Sequence, residues 1–315
     1  MTATVFIDGE AGTTGLQILE RLTQRTDVRL LRLDNAERKD AQRRAAMLNE
    51  ADLSILCLPD DAAKEAVAMV ESPTARIVDA STAFRTAPGW VYGFPEYEAA
   101  HAARIKASRR VSNTGCYAVG FVSLVYPLVA AGLLPAEAPV TVNAVSGYSG
   151  GGKSLIAAFE DPAAANRTAS NFYLYALGLE HKHVEEMRVH GGLRQRPLFV
   201  PSVGRFAQGM IISVPLQLWS LPGQPKPADL QACLADHYAA YPEKGSRVTV
   251  ATPAESAAAR DKLDAEVLAG GDGLTIHVFG NEARGQAVLC AVLDNLGKGA
   301  AGQAVQNMEL MLGLG

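Results

Sequence analysis

The stretch Thr4-Val5-Phe6-Ile7-Asp8-Gly9-Glu10-Ala11-Gly12-Thr13-Thr14-Gly15, continued by Leu16 to Leu22, decides how this chain is read. Thr4 to Ile7 reads as a short buried strand, and Leu16 to Leu22 as an amphipathic helix. A Gly-rich turn lies between them. Strand, Gly-rich turn and helix in that order are the context that a dinucleotide-binding fingerprint requires. The spacing is G-x-x-G-x-x-G, a departure from the commoner G-x-G-x-x-G. Gly9 and Gly12 let backbone approach a pyrophosphate, and Gly15 lets helix and strand pack tightly. A plain Gly-rich turn is the alternative; the flanking elements favour the fingerprint.

Moving outward, Val28 to Leu33 gives a second strand that ends at Asp34, followed by Arg38, Lys39, Arg43 and Arg44. The end of this strand lies beside the adenosine ribose in a doubly wound sheet. Cations there suit a 2′-phosphate, which favours NADP over NAD. Asp34 pulls the other way, and a solvated helix face is the plainer account of the cations. Leu53 to Leu58 and Arg76 to Val78 are further strands, with a helix over Ala62 to Val70 between them. The last strand delivers Asp79-Ala80-Ser81-Thr82-Ala83-Phe84-Arg85, which can orient a polar substrate or simply form an Asx-capped turn. Trp90 to Tyr97 is expected to be a packed aromatic loop. The alternation predicts an N-terminal Rossmann-type, doubly wound parallel sheet over residues 1–115.

Ser112-Asn113-Thr114-Gly115-Cys116-Tyr117-Ala118-Val119-Gly120 follows, and an apolar helical run continues from Phe121 to Leu134. A cysteine at a helix start meets unpaired N–H groups and the positive end of the helix dipole, which favours the thiolate. The same N–H groups can hold an oxyanion. The segment alone reads equally well as a small, inert, buried thiol.

Beyond it, Val140 to Val145 reads as a strand, and Gly147 to Ser154 satisfies G-x-x-x-x-G-K-S. A P-loop ATPase would build its fold around that loop and place a metal-binding Asp after a later strand. Here the loop lies inside the second region, so a loop around Ser149 touching an anionic group of a substrate is the expectation. Leu179 to Met187 is expected to enter a helix carrying His181, His183 and Glu186; at i and i+3, Glu186 can orient His183 as a base. No third ligand stands at metal-binding spacing, so no metal is expected. Strand-like runs at Leu198 to Val203, Met210 to Leu216, Val248 to Ala251, Thr275 to Phe279 and Gln286 to Leu293 predict an α+β catalytic and oligomerisation domain over 116–295. Arg205 lies in a strand connection where it can meet substrate. An open sheet face predicts a homo-oligomer, dimer or tetramer. Residues 296–315 form a Gly-rich lead and a helix expected to return to the first domain.

The 315 residues are 48% apolar and 20% charged, as in a soluble globular protein, with a formal charge of -4 and no basic run of the kind nucleic acid requires. No run approaches the roughly 20 apolar residues of a membrane span. The N-terminus has no basic n-region of a secretory signal. The four cysteines form no C-x-x-C pair. A cytoplasmic enzyme on a small-molecule substrate is expected, without membrane or nucleic-acid partners.

With these pieces placed, the chain resembles the N-acetyl-gamma-glutamyl-phosphate reductases in their shorter form, over essentially its whole length. The resemblance rests on Gly9-x-x-Gly12-x-x-Gly15, Asp79-x-Ser81, Ser112 to Tyr117, His181-Lys182-His183-x-x-Glu186 and Asp294-Asn295-Leu296-Gly297-Lys298-Gly299-Ala300. Lys182 stands where arginine is frequent and Glu185 where proline is usual. The resemblance implies an NADPH-dependent reduction of an acyl phosphate to an aldehyde in arginine biosynthesis. Cys116 would carry a thioester, with His183 and Glu186 handling the proton. It implies cofactor contacts from Gly9, Gly12, Thr13, Thr14, Gly15, Arg38, Ser81, Asn295 and Gly297. Substrate contacts would come from Asn113, Ser149, His181, Arg85 and Arg205. The rival readings are an aspartate-semialdehyde dehydrogenase and a non-catalytic dinucleotide-binding protein. Turnover of the two semialdehydes separates the first; indifference to loss of Cys116 marks the second.

Overall fold

A computed structural model describes residues 2–34, 36–241 and 246–314. Residue 315, the end of the expected closing segment, lies outside them. The chain divides into two compact units, one of Met1–Pro95, Ala100–Thr114 and Ala300–Gly315, the other of Glu96–Ala99 and Gly115–Gly299.

In the first unit, strands β1 (Ala3–Asp8), β2 (Val28–Leu31), β3 (Leu53–Leu56), β4 (Arg76–Asp79), β5 (Val91–Gly93) and β6 (Arg110–Asn113) form one six-stranded sheet in the order β2-β1-β3-β4-β6-β5. Every pairing is parallel. Helices α1 (Thr13–Thr23), α2 (Ala41–Glu50), α3 (Asp60–Ala68) and α4 (His101–Ala107) provide crossovers. Val5, Ile7, Leu53, Ile55 and Val78 from the strands meet Ile18 and Leu22 of α1 in one buried cluster. Near-continuous apolar strands are what a sheet covered on both faces demands.

Two turns of the chain differ from expectation. Helix α1 begins at Thr13, because Gly12 takes the N-cap position. Trp90 to Tyr97 is not all loop: β5 forms the sheet edge, and a 3₁₀ turn follows over Pro95–Tyr97. A strand of three residues has too little periodicity to be read, and β6 is the one strand it pairs with. The chain's last helix, α10 (Gly302–Leu312), is buried along most of its length and adds Ala304, Val305, Met308 and Met311 to the same cluster.

The second unit carries α5 (Cys116–Ala130), β7 (Thr141–Gly147), α6 (Gly152–Glu160), β8 (Phe172–Leu174), α7 (Val184–His190), β9 (Leu198–Gly204), β10 (Met210–Gln217), α8 (Pro227–Ala239), β11 (Val248–Val250), α9 (Pro253–Ala259), β12 (Leu274–Asn281) and β13 (Gln286–Leu293). Its seven-stranded sheet runs β11-β12-β13-β10-β7-β9-β8. The pairings β7–β9 and β11–β12 are parallel and the rest antiparallel, so the sheet is mixed. Helix α5 is apolar all round and buried from Tyr117 to Val125, as a helix enclosed by its own unit must be. It packs on β10 and β13 and against α7 and α8.

Candidate active site

Cys116 is the first residue of α5, and Gly115 is its extended N-cap. The first-turn N–H groups of a helix have no partner within it, so they open at the end of α5 that carries the thiol. Gly115 donates its own N–H to Glu186 Oε1 at 2.8 Å. That bond pins the turn that presents the cysteine. Cys116 is partly exposed, as are Cys57 and Cys233, and burial pushes the thiols of Cys57 and Cys290 up to about 12 and raises that of Cys233.

A cavity of about 340 Å³ opens on Cys116 and is lined also by Tyr117, Ser146, Gly150, Gly151, Ser154, Leu155, Tyr173 and Tyr175. Tyr175 donates its hydroxyl to Tyr117 Oη at 3.1 Å, and Tyr117 donates onward to the Ser202 carbonyl at 3.1 Å. Burial pushes Tyr175 up to about 12 and raises Tyr117 too, so both phenols stay protonated.

His181 and His183 both stand around the Tyr117 ring, at centroid distances of 5.8 Å and 5.9 Å. Their own rings are 4.7 Å apart, and His181 Nδ1 accepts the His183 N–H at 3.1 Å. His183 is buried and is the N-cap of α7, not a residue of its interior; Glu186, buried as well, is in that helix's first turn. The expected helix therefore starts later than residue 179, at Val184. Lys182 points to solvent.

The Gly147-to-Ser154 loop runs from β7 through a 3₁₀ turn at Tyr148–Gly151 into α6. Ser149 Oγ accepts from Asn295 Nδ2 at 2.8 Å, and Asn295 Oδ1 accepts the Gly209 N–H at 2.9 Å. Asn295 thus ties two loops together inside this unit. Gly297 begins a π-helical turn, Gly297–Ala301, where any Cβ would strike the Gly271 carbonyl. Arg205 is exposed; it donates to the Thr168 carbonyl at 2.8 Å and the Ser170 carbonyl at 3.2 Å, and its guanidinium lies 5.0 Å from the Phe159 ring centre. It organises the loop over 168–170 and is not among the cavity's lining residues.

The remaining candidates belong to the first unit. Gly9 has φ +91°, and a Cβ there would collide with the Cys57 carbonyl; one at Gly15 would lie 2.5 Å from Gly9 O. These contacts are why the turn needs glycine. A cavity of about 360 Å³ sits against it, lined by Gly9, Glu10, Ala11, Leu33, Arg38, Lys39 and Arg44 among others. Glu10 takes an ion pair from Arg38 at 2.7 Å and from Arg32 at 3.2 Å, and Asp8 takes one from Arg44 at 2.8 Å. Arg43 instead pairs with Glu37 at 2.7 Å on the surface. The Arg38 Nε is buried without an acceptor. Thr13 and Thr14 open α1 just after this turn.

Ser81 donates to Asp79 Oδ2 at 2.7 Å, and burial pushes Asp79 up to about 6. Buried Arg85 donates to the Asn113 carbonyl at 3.1 Å and the Ala80 carbonyl at 3.3 Å. Asn113 is itself engaged, donating to the Ala300 carbonyl at 2.9 Å and accepting from Asn307 at 3.0 Å. Both side chains hold the sheet's strand ends to neighbouring segments.

Sequence reasoning passed over Tyr175 and Tyr173, which sit next to no motif, and Glu10, whose charge was not weighed against the cations. Tyr117 could have been found from its place beside Cys116. Among the described residues, no group of three or more His, Cys, Asp or Glu could hold a metal ion, and no helix is long and apolar enough to cross a membrane.

A family model described as the semialdehyde dehydrogenase dimerisation domain matches residues 116–295, and one described as the semialdehyde dehydrogenase NAD binding domain matches residues 4–105. A Pseudomonas putida protein named N-acetyl-gamma-glutamyl-phosphate reductase 2 is 53% identical over 312 residues, 99% of this chain and 97% of its own length. The Brucella ovis protein named N-acetyl-gamma-glutamyl-phosphate reductase is 53% identical over 314 residues, 99% of this chain and 100% of its own. In fold, the chain is similar to aspartate semialdehyde dehydrogenase II from Vibrio cholerae, with a TM-score of 0.70 at 15% identity over 99% of this chain and 98% of that one. The fold is thus shared with enzymes of a different name, while the sequence at 53% identity separates this chain from them. The chain belongs to the N-acetyl-gamma-glutamyl-phosphate reductase family, on the two-part fold of the semialdehyde dehydrogenases.

Proposed function

We propose that the protein reduces N-acetyl-L-glutamyl 5-phosphate to N-acetyl-L-glutamate 5-semialdehyde, releasing phosphate, as a step of arginine biosynthesis. The observation that carries the reading is Cys116 at the first position of α5, partly exposed and opening on a cavity beside the His181–His183 pair. The Cys116 thiolate attacks the acyl carbon, the C–O bond to phosphate breaks, and the acyl group stays on sulfur as a thioester. First-turn N–H groups of α5 are placed to stabilise the tetrahedral oxyanion. His183 handles the proton as the thiohemiacetal collapses to aldehyde and free thiolate, with His181 holding the His183 backbone and contacting substrate. Glu186 keeps the Gly115 turn in place through its hydrogen bond. Gly150 and Gly151 line the cavity, and buried Ser149 holds their loop through its bond with Asn295.

The first unit supports a dinucleotide: the Gly9 turn leaves no room for a side chain, and Arg38 offers a buried Nε that the protein itself leaves without an acceptor. Gly9, Gly12 and Gly15 would admit the pyrophosphate, Thr13 and Thr14 would meet it at the start of α1, and Arg38 with Lys39 would take a 2′-phosphate, so NADP is favoured over NAD. When bound, the reduced nicotinamide supplies the hydride equivalent for the reduction. Ser81 fixes the end of β4 in the same unit by its bond to Asp79, and Asn295 and Gly297 fix loops of the second unit. Arg85, Asn113 and Arg205 act by fixing loops. The exposed apolar side chains Phe172 and Leu174 lie on the edge strand β8, and Leu198 opens its neighbour β9, which supports a homo-oligomer, dimer or tetramer. Free, widely separated thiols suit the reducing cytoplasm.

The test is intact-mass spectrometry of protein mixed with the acyl phosphate in the absence of NADPH. One acyl group on Cys116, absent from Cys116→Ser, is expected; an adduct elsewhere, or none, overturns the mechanism. Running the reaction backward with NADP and phosphate adds the substrate: turnover of aspartate semialdehyde alone would overturn it.

A further inference from the structure

One buried ion pair has no part in the chemistry above. Lys298 and Glu96 have fully buried side chains, and Lys298 Nζ donates to Glu96 Oε2 at 2.7 Å. Glu96 Oε1 accepts the Arg247 N–H at 2.8 Å, and the Arg247 guanidinium lies 3.5 Å from Asp272. Among the described residues, Glu96, Arg247 and Asp272 are charged groups that act on Lys298, and Tyr238 and Tyr241 feel the Glu96 charge. Burying such a pair is seldom a route to stability, since well-packed apolar residues of the same size do as well or better. Burial also lowers Lys298 to about 8, so its charge is held against a solvation penalty.

What the pair holds is the π-helical turn Gly297–Ala301, a geometry that recurs at functional sites. The Asp294 carboxylate fixes the turn's start, accepting the Leu296 N–H at 2.7 Å and the Gly297 N–H at 2.9 Å. Gly299 donates its N–H to the Asp294 carbonyl at 2.9 Å. At that setting a Cβ on Gly299 would lie 2.8 Å from Cys116 Cβ and 3.3 Å from Cys116 Cα. The turn is thus the surface against which the cysteine rests, and Lys298 is the residue between its two close-approach glycines.

We propose that Lys298 and Glu96 are positioning residues for Cys116: their buried pair sets the Gly297–Ala301 turn so that Gly299 backs the cysteine and aims its sulfur at the acyl carbon. The inference rests on Cys116 being the nucleophile. It concerns direction of attack, not exposure of the thiol. A substrate that must be met in one orientation is sensitive to it, and a small alkylating reagent is not.

The test compares wild type, Lys298→Met, the apolar pair Glu96→Leu/Lys298→Met, and Gly299→Ala. For each, the rate of Cys116 acylation by the acyl phosphate without dinucleotide, the rate of Cys116 labelling by iodoacetamide, kcat and KM, and the melting temperature are measured. A misdirected nucleophile is expected to lose about tenfold or more in acylation rate and kcat. KM and iodoacetamide labelling are expected to stay within about threefold, a far smaller change than misalignment produces. The apolar pair is expected to melt near wild type and still acylate slowly. Gly299→Ala reproduces the acylation defect with the ion pair intact, which keeps the inference testable where the other variants fold poorly. A folded apolar pair or Gly299→Ala that acylates at the wild-type rate overturns the positioning role. Failure of wild type itself to acylate at Cys116 overturns the nucleophile reading instead.

Discussion

At the scale of residues, charge placement matters more than charge count. The cations after β2 are not idle: Glu10 holds Arg32 and Arg38, and Asp8 holds Arg44. A 2′-phosphate would compete with Glu10 for Arg38. Glu10→Gln is therefore expected to tighten NADP binding several-fold, a change of about 1 kcal/mol, while NAD binding barely moves. Titration of both nucleotides by quenching of intrinsic fluorescence measures it; equal changes for the two would rule out competition at Arg38. Asp79 makes a second prediction. Burial raises its carboxyl to about 6, and Oδ1 has no partner. The folded chain then holds this proton more tightly than the unfolded chain, whose value is near 3.9. Between about pH 4 and 6 the folded state binds the extra proton, so stability falls as pH rises through that window, by at most about 3 kcal/mol. Asp79→Asn should flatten the dependence, as read by urea midpoints at pH 4.5 and pH 7.

At the scale of elements, α5 joins a terminus that presents a cysteine to a fully buried body. Its N-terminus carries Cys116, while Tyr117 to Val125 is wholly buried. Gly120 sits where a Cβ would collide with the Ile212 side chain of β10, so helix and sheet meet there without a spacer. Gly120→Val is expected to overpack this contact and destabilise by about 1–3 kcal/mol. Because the collision lies one turn beyond Cys116, acylation should fall as well. Urea unfolding and the mass-spectrometric acylation rate together check it; a variant of unchanged stability would show that the contact has slack. The elements were unevenly legible. β1, α1 and the strands from Leu198 onward were readable because apolar periodicity and turn glycines agree there. β5 and β8, each three residues long, were not, since neither has a period to read. The start of α7 was placed too early because His181 and His183 look helical by spacing, while the chain uses His183 as a cap.

At the scale of the molecule, the first unit is not contiguous in sequence. Residues Ala300–Gly315 return to it, and Met308 and Met311 of α10 join Val5, Ile18 and Leu53 in its core. Asn307 donates to the Gly93 carbonyl at 2.9 Å and to Asn113 Oδ1 at 3.0 Å. A chain ending at residue 299 should therefore leave that core open and lose dinucleotide binding. A tryptophan-fluorescence melt and nucleotide titration of the truncated chain test it, and native-like binding would show α10 to be dispensable. The sequence by itself determined the parallel nucleotide-binding sheet, the cysteine at a helix start and the family. Each rests on local pattern: strand period, turn glycine and motif spacing are written in consecutive residues. Only the tertiary structure decided that Glu10 pairs with Arg38, that Glu186 holds the Gly115 turn, and that Lys298 meets Glu96 behind the cysteine. Those pairings join residues 28, 71 and 202 positions apart, and no local pattern encodes which buried charge meets which.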